Sequence, residues 1–169
     1  MPDLATLFQT GCLIVLAGLL LAAAWQDLRT LHIANGLSIA IAALFGIWAL
    51  VGLSEGVYSA TALGMAIGCA AVLFGLGVAA FSGGMLGGGD VKLLAGMGLF
   101  AGPALVVDLL LVTAVAGGVL GLAVLAGVPL GSVSGQGEAT LRGRLRGRIP
   151  YGPAIAAGGL WVATRLAIG

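Results

Sequence analysis

Five long apolar stretches and one short one succeed each other along 169 residues, parted only by brief polar breaks. A bilayer core about 30 Å thick needs about 20 helical residues to cross it. On that scale the stretches predict spans near residues 5–25, 36–53, 59–81, 91–102, 103–128 and 150–167. The fourth is short: 91–102 covers only about 18 Å at ~1.5 Å per residue. Taking 91–128 as one helix gives about 57 Å, nearly twice the bilayer, and the stretch contains Gly102-Pro103, which favours a break. The expected fold is therefore an all-α integral membrane protein with about six transmembrane helices, its short fourth helix preceded by a glycine-rich re-entrant loop. Little chain is left for anything outside the bilayer, so residues 1–169 are expected to form one membrane-embedded domain.

Composition agrees. The chain is 60% hydrophobic and 8% charged, far from the charged quarter of a soluble domain. The first stretch, 4–25, reads as a retained span rather than a signal peptide, because no basic residue precedes Arg29. Cys12 and Cys69 lie inside apolar stretches with no CxxC or Cys/His cluster, which points to neither a metal site nor a disulfide framework. No metal or cofactor is expected.

The placement of charge says more than its sum. Lys and Arg collect on the cytoplasmic side of a membrane. With six crossings, Arg29, Lys92, Arg142, Arg144, Arg146 and Arg148 share one side, and only Arg165 opposes them. This predicts both termini outside the cytoplasm. The run LRGRLRGR at 141–148 is short, broken by glycine and without an aromatic to stack a base, so it reads as a topology anchor, and no nucleic-acid partner is expected. The preceding GSVSGQGEAT is a polar loop. Among 31 glycines, the pairs Gly64/Gly68 and Gly117/Gly121 have the small-xxx-small spacing that lets helices pack closely.

Six acidic residues remain to be placed, and Asp3, Glu55 and Glu138 fall at the terminus or in loops. Asp27, Asp90 and Asp108 do not. A charge within a membrane costs about 2.5–3.5 kcal/mol at a helix centre on insertion scales, so those that persist are functional candidates. Asp27 ends the first span and Asp90 begins the fourth, on the same side; Asp108, five residues past Pro103, lies near the opposite face. A bland alternative has Asp27 capping a helix end near Arg29 and Asp90 pairing with Lys92. Gly87-Gly88-Gly89 before Asp90 argues for more, since bare backbone permits unusual angles and lets another extended chain approach. Irregular backbone at membrane depth is tolerated where it lines a wet cavity. Two carboxylates, a water and room for an extended chain suit aspartyl peptide hydrolysis, in which one carboxylate activates water and the other, protonated, polarises the scissile carbonyl.

At these residues the chain resembles the type IV prepilin peptidases, a family of membrane aspartyl proteases. GGGDVKLLAGMGLF is similar to their GxGDxKL stretch, with Gly87, Gly89, Asp90 and Lys92 matching. Asp27 resembles the family's first catalytic aspartate, which precedes an Ile-Pro-Asn by six residues; the triplet here is Ile33-Ala34-Asn35, without the proline. IPYGPAIAAGG at 149–159 resembles the Pro-x-Gly-Pro block of the last span, with Pro150, Gly152 and Pro153 in place. The resemblance implies catalytic Asp27 and Asp90 and a prepilin or pseudopilin substrate, cut at the cytoplasmic face of the bacterial inner membrane after a glycine that precedes its apolar segment. Lacking the length and cysteines of the methylating members, the chain resembles the short peptidase-only type associated with Flp or Tad pili.

Supporting roles are expected for Gly87, Gly88, Gly89, Lys92, Asn35, Pro150, Gly152 and Pro153. Lys92 either tunes Asp90, holds a substrate carboxylate or anchors the interface; Asn35 is expected to cap or steady the turn into the second helix. His32 reads as a solvated loop residue and Trp25 as an interfacial aromatic. A small transporter or channel with a carboxylate relay is the main rival, and it would want Asp108 as a deeper member. A scaffold subunit would need no paired aspartates. Nucleotide binding fails, because no Lys-Ser/Thr follows the glycines.

Overall fold

The computed structural model describes residues 4–126, 128 and 150–168. They form five helices: α1 (Leu4–Thr30), α2 (Asn35–Ser54), α3 (Ala60–Ser82), α4 (Gly88–Leu125) and α5 (Gly152–Ile168). The first four are long and apolar enough to cross a membrane, and α5 is a shorter apolar helix. Large apolar side chains such as Ile14, Leu21, Leu50, Val72 and Val115 are exposed on the outside, where a bilayer accepts them. The protein is an integral membrane protein.

The chain breaks where Gly102 meets Pro103. Gly102 has φ 52° and ψ −169°, outside helical geometry, so α4 is two limbs, 88–101 and 103–125. Glycine takes that left-handed φ without a Cβ penalty, and the proline that follows has no N–H to donate backwards.

The contacts give each limb its direction. On the first, Gly89, Gly96 and Phe100 meet Ile33, Ile41 and Phe45 in rising order, so it runs parallel to α2. Gly77 faces Val91 and Gly98 faces Leu73, so α3 runs against it. On the second limb, Leu109 and Thr113 meet Gly158 while Gly117 meets Tyr151, which makes it antiparallel to α5. Since α5 itself runs against α1, with Gly152 at Asp27 and Gly159 at Leu20, the second limb returns toward the end from which the first departed. α4 is the hub: α2, α3 and α5 all pack on it, and α1 closes against α2 and α5.

Small residues allow this packing, though not all at the expected places. A Cβ on Gly98 would lie 2.8 Å from Leu73 Cδ1, one on Gly159 2.8 Å from Leu20 Cδ1, and one on Gly158 2.8 Å from the Leu109 carbonyl oxygen. Gly64 and Gly68, by contrast, have nothing within 4 Å of where a Cβ would sit. That pair faces outward, and among the described residues its spacing marks no helix contact. Gly117 does pack, against the Tyr151 ring at 3.1 Å.

Helix ends also differ from expectation. α1 continues to Thr30, past the predicted end at 25, and α4 begins at Gly88 rather than 91, so Gly88 and Gly89 open a helix instead of forming a loop. The arginines of 141–148 and the polar loop before them lie outside the described residues.

Candidate active site

Asp27 sits in the last turn of α1 and is 4% exposed. Its Oδ2 accepts a hydrogen bond from the Gly152 N–H at 2.7 Å. Gly152 opens α5, and an N–H at a helix start has no partner within its own helix, so the carboxylate supplies one. The approach is close: a Cβ on residue 152 would lie 2.6 Å from Asp27 Cβ and 2.8 Å from its Oδ2. Pro150 is fully buried just before, and Pro153 falls in the first helical turn, where a missing N–H breaks no helical bond.

Asp90 is the third residue of α4 and is 7% exposed. Its Oδ2 accepts the Gly87 N–H at 3.1 Å, the carboxylate half of a capping box. The other half is missing because Gly87 has no side chain to offer.

The glycine run therefore acts differently from expectation. Gly87 is ordinary extended chain at φ −80° and ψ 150°, and the positive φ nearby belongs to Gly84, at 71°. Space is what the run provides. A Cβ on Gly87 would lie 2.8 Å from Asp90 Oδ2, and one on Gly89 would lie 2.9 Å from Ile33 Cβ and 3.3 Å from the Ile33 carbonyl oxygen. Gly88 is less crowded, with the Phe81 ring 3.7 Å from that position. The chain that comes up beside Gly89 is the protein's own linker between α1 and α2.

Several contacts shape that linker. Leu31 adopts a left-handed φ of 51°, and its N–H bonds the Asp27 carbonyl at 2.8 Å. Thr30 Oγ1 donates toward the Gln26 and His32 carbonyls at 2.9 and 3.0 Å. The Ala34 N–H donates to Gln26 Oε1 at 2.9 Å, and Ile33 between them is buried. Lys92 Nζ then donates to Asn35 Oδ1 at 2.8 Å. Asn35 is thus not the cap of α2: Ala34 occupies that position without any side-chain cap, and the Asn35 amide serves as an acceptor for Lys92. Lys92 reaches across to α2 rather than staying an isolated interfacial anchor.

Asp27, Asp90, Asn35, Lys92, Gly87 to Gly89 and Pro150 to Pro153 accordingly gather at one end of the bundle, tied through Gly152 on one side and Ile33 on the other. Asp108 does not join them. It pairs with Arg165 Nη1 at 3.6 Å on the second limb of α4, with both side chains substantially exposed. His32 is exposed, and the Arg29 guanidinium lies over the Trp25 ring at 4.3 Å. Gln26 is the contributor that sequence reasoning passed over, since it looks like a stray amide at the end of an apolar run; Ile33 entered there only as part of the Ile33-Ala34-Asn35 triplet, without its contact to Gly89.

Chemically, the arrangement offers two buried carboxylates at the same end of the bundle, each steadied by a backbone N–H. Residues 14–122 match the type IV leader peptidase family. That range holds Asp27, the linker and the Gly87–Lys92 stretch, while the Pro150–Pro153 block lies beyond it. No match was found among curated proteins or among solved structures.

Proposed function

The chain belongs to the type IV leader peptidase family, and from that premise we propose that it is a membrane aspartyl endopeptidase removing the leader of Flp-like prepilins or pseudopilins, with Asp27 and Asp90 as its catalytic pair. The observation that carries this reading is the burial of both carboxylates at the same end of the bundle, in helices 63 positions apart in sequence.

In the proposed reaction the two carboxyl groups share one proton, because two charges brought close in a poorly solvated site are costly. The ionised member takes a proton from water as its oxygen bonds to the scissile carbonyl carbon. The protonated member hydrogen-bonds the carbonyl oxygen. As the tetrahedral carbon collapses, the C–N bond breaks and the leaving amine receives a proton from the pair. The Gly152 and Gly87 N–H groups hold the two carboxylates in orientation while protons move. Lys92, beside the site, fits a substrate carboxylate or the interface.

The proposed topology has six crossings, the two limbs of α4 counting separately, with both termini periplasmic and the aspartates facing the cytoplasm of a bacterial inner membrane. Supporting it, Arg29 and Lys92 share the end that bears Asp27 and Asp90, and Arg165 sits toward the far end of α5. A carboxylate relay for transport is disfavoured by Asp108, which is engaged with Arg165 away from the other two.

The test is co-reconstitution with an Flp-type prepilin in liposomes and mass analysis of the products. The proposal expects cleavage after the leader glycine, abolished in Asp27→Asn and in Asp90→Asn. An intact prepilin together with a carboxylate-dependent ion flux would replace it with the transport reading.

A further inference from the structure

Gln26 has no part in the chemistry above, yet its side-chain carbonyl reaches eight residues along the chain to hold the Ala34 N–H at 2.9 Å. Ala34 stands at φ −64° and ψ 136°. A proline ring imposes a φ of about −65°, and it removes the N–H. Alanine has the N–H and no ring, so here the same backbone angle is held from outside, by the one atom a proline would lack. The neighbour of Ala34 is Ile33, seated on Gly89, and Gly89 adjoins Asp90. The linker also carries strain: a left-handed non-glycine residue such as Leu31 persists only where its surroundings over-determine it.

We propose that Gln26 is a positioning residue: by clamping Ala34 it seats Ile33 on Gly89 and so sets where Asp90 stands relative to Asp27. The clamp runs from the residue beside one aspartate to the residue beside the other, through a linker of four residues, 31–34. Its effect on catalysis rests on the peptidase reading, but the clamp itself does not. Asp27 and Gln26 share the last turns of α1, so a loosened linker leaves Asp27 on Gly152 and frees the Asp90 side.

The experiment uses the full chain with Gln26→Met, Ala34→Pro and both together. Methionine keeps the bulk of the side chain and removes the acceptor; proline fixes φ without needing one. Each is assayed for kcat and KM on an Flp-type prepilin. Each is also spin-labelled at Arg29→Cys and Ser82→Cys, with Cys12 and Cys69 replaced by alanine, to read the distance between the end of α1 and the end of α3, which packs on the first limb of α4. Gln26→Met is expected to lower kcat about tenfold with KM within about twofold, the signature of misplaced groups rather than lost binding, and to broaden the distance distribution. Ala34→Pro added to it is expected to restore both readouts. Because a proline at a compatible angle can stabilise any fold, the distances decide: a role confined to general stability would leave the distribution of the folded protein unbroadened in Gln26→Met. If the wild type cuts no prepilin while the distances still broaden and sharpen in this order, the peptidase reading falls and the clamp stands. If Gln26→Met leaves kcat or the distances as in wild type, or if Ala34→Pro fails to rescue, the inference is overturned.

Discussion

At the scale of single residues, the site is defined by where a side chain is absent. Gly152→Ala would place a methyl group 2.6 Å from Asp27 Cβ, a contact that forces either α5 or the aspartate to move. Overpacking of this kind costs about 1–3 kcal/mol, and here the strain falls directly on a proposed catalytic group. The expected result is loss of most cleavage together with a lower melting temperature in detergent. Gly89→Ala drives its methyl into Ile33 at 2.9 Å, so adding Ile33→Ala should recover part of the loss; recovery stays partial because the Ile33 carbonyl oxygen, at 3.3 Å, is also in the way. Gly64→Ala, with open space around it, should change neither property, and the three variants compared by melting and prepilin cleavage separate crowded glycines from free ones. None of this distinction is visible in the sequence. Glycine spacing reports that a close approach is possible, whereas which neighbour arrives depends on contacts far apart in sequence, 125 residues in the case of Asp27 and Gly152. The aspartates themselves were legible, because a carboxylate in an apolar chain is costly enough to stand out.

At the scale of elements, the break in α4 was legible and its consequence was not. Gly102-Pro103 marks a stop by local stereochemistry, and the chain does depart from helix there. That the second limb returns antiparallel to α5 follows from Gly158 and Gly117, which carry no directional signal in sequence. The glycine run misled in the opposite sense: three glycines before a carboxylate read as loop, yet Gly88 and Gly89 are helical because the Asp90 carboxylate caps the Gly87 N–H. Helix faces were equally hard to assign, since in lipid both the buried and the exposed sides are apolar and periodicity fades. Gly102→Ala tests the break. With φ at 52°, ψ at −169° and nothing within 4 Å of the new methyl, the cost is purely conformational, about 1–3 kcal/mol. It should lower the melting temperature without altering which products are formed. Asp108→Asn removes an exposed ion pair worth under about 1 kcal/mol; cleavage should persist almost unchanged, which a proton relay through Asp108 would not permit.

At the scale of the whole molecule, one end of the bundle must be both the charged end and the reacting end. Single cysteines at Arg29, Lys92 and Arg165, in a chain without Cys12 and Cys69, provide the check in oriented vesicles with a membrane-impermeant maleimide. The first two should label from the cytoplasmic side and the third from the opposite side. Labelling of Arg29→Cys and Lys92→Cys from different sides would separate the aspartates and rule out a shared site. The larger question is whether Asp27 and Asp90 act as one unit, and prepilin cleavage by Asp27→Asn, Asp90→Asn and the double variant addresses it directly. If the pair shares one task, each single change removes activity by on the order of a thousandfold or more and the double is no worse than either, because groups acting together are lost together. Losses that multiply, or a single variant that still cuts near the wild-type rate, would show two carboxylates that do not share the reaction.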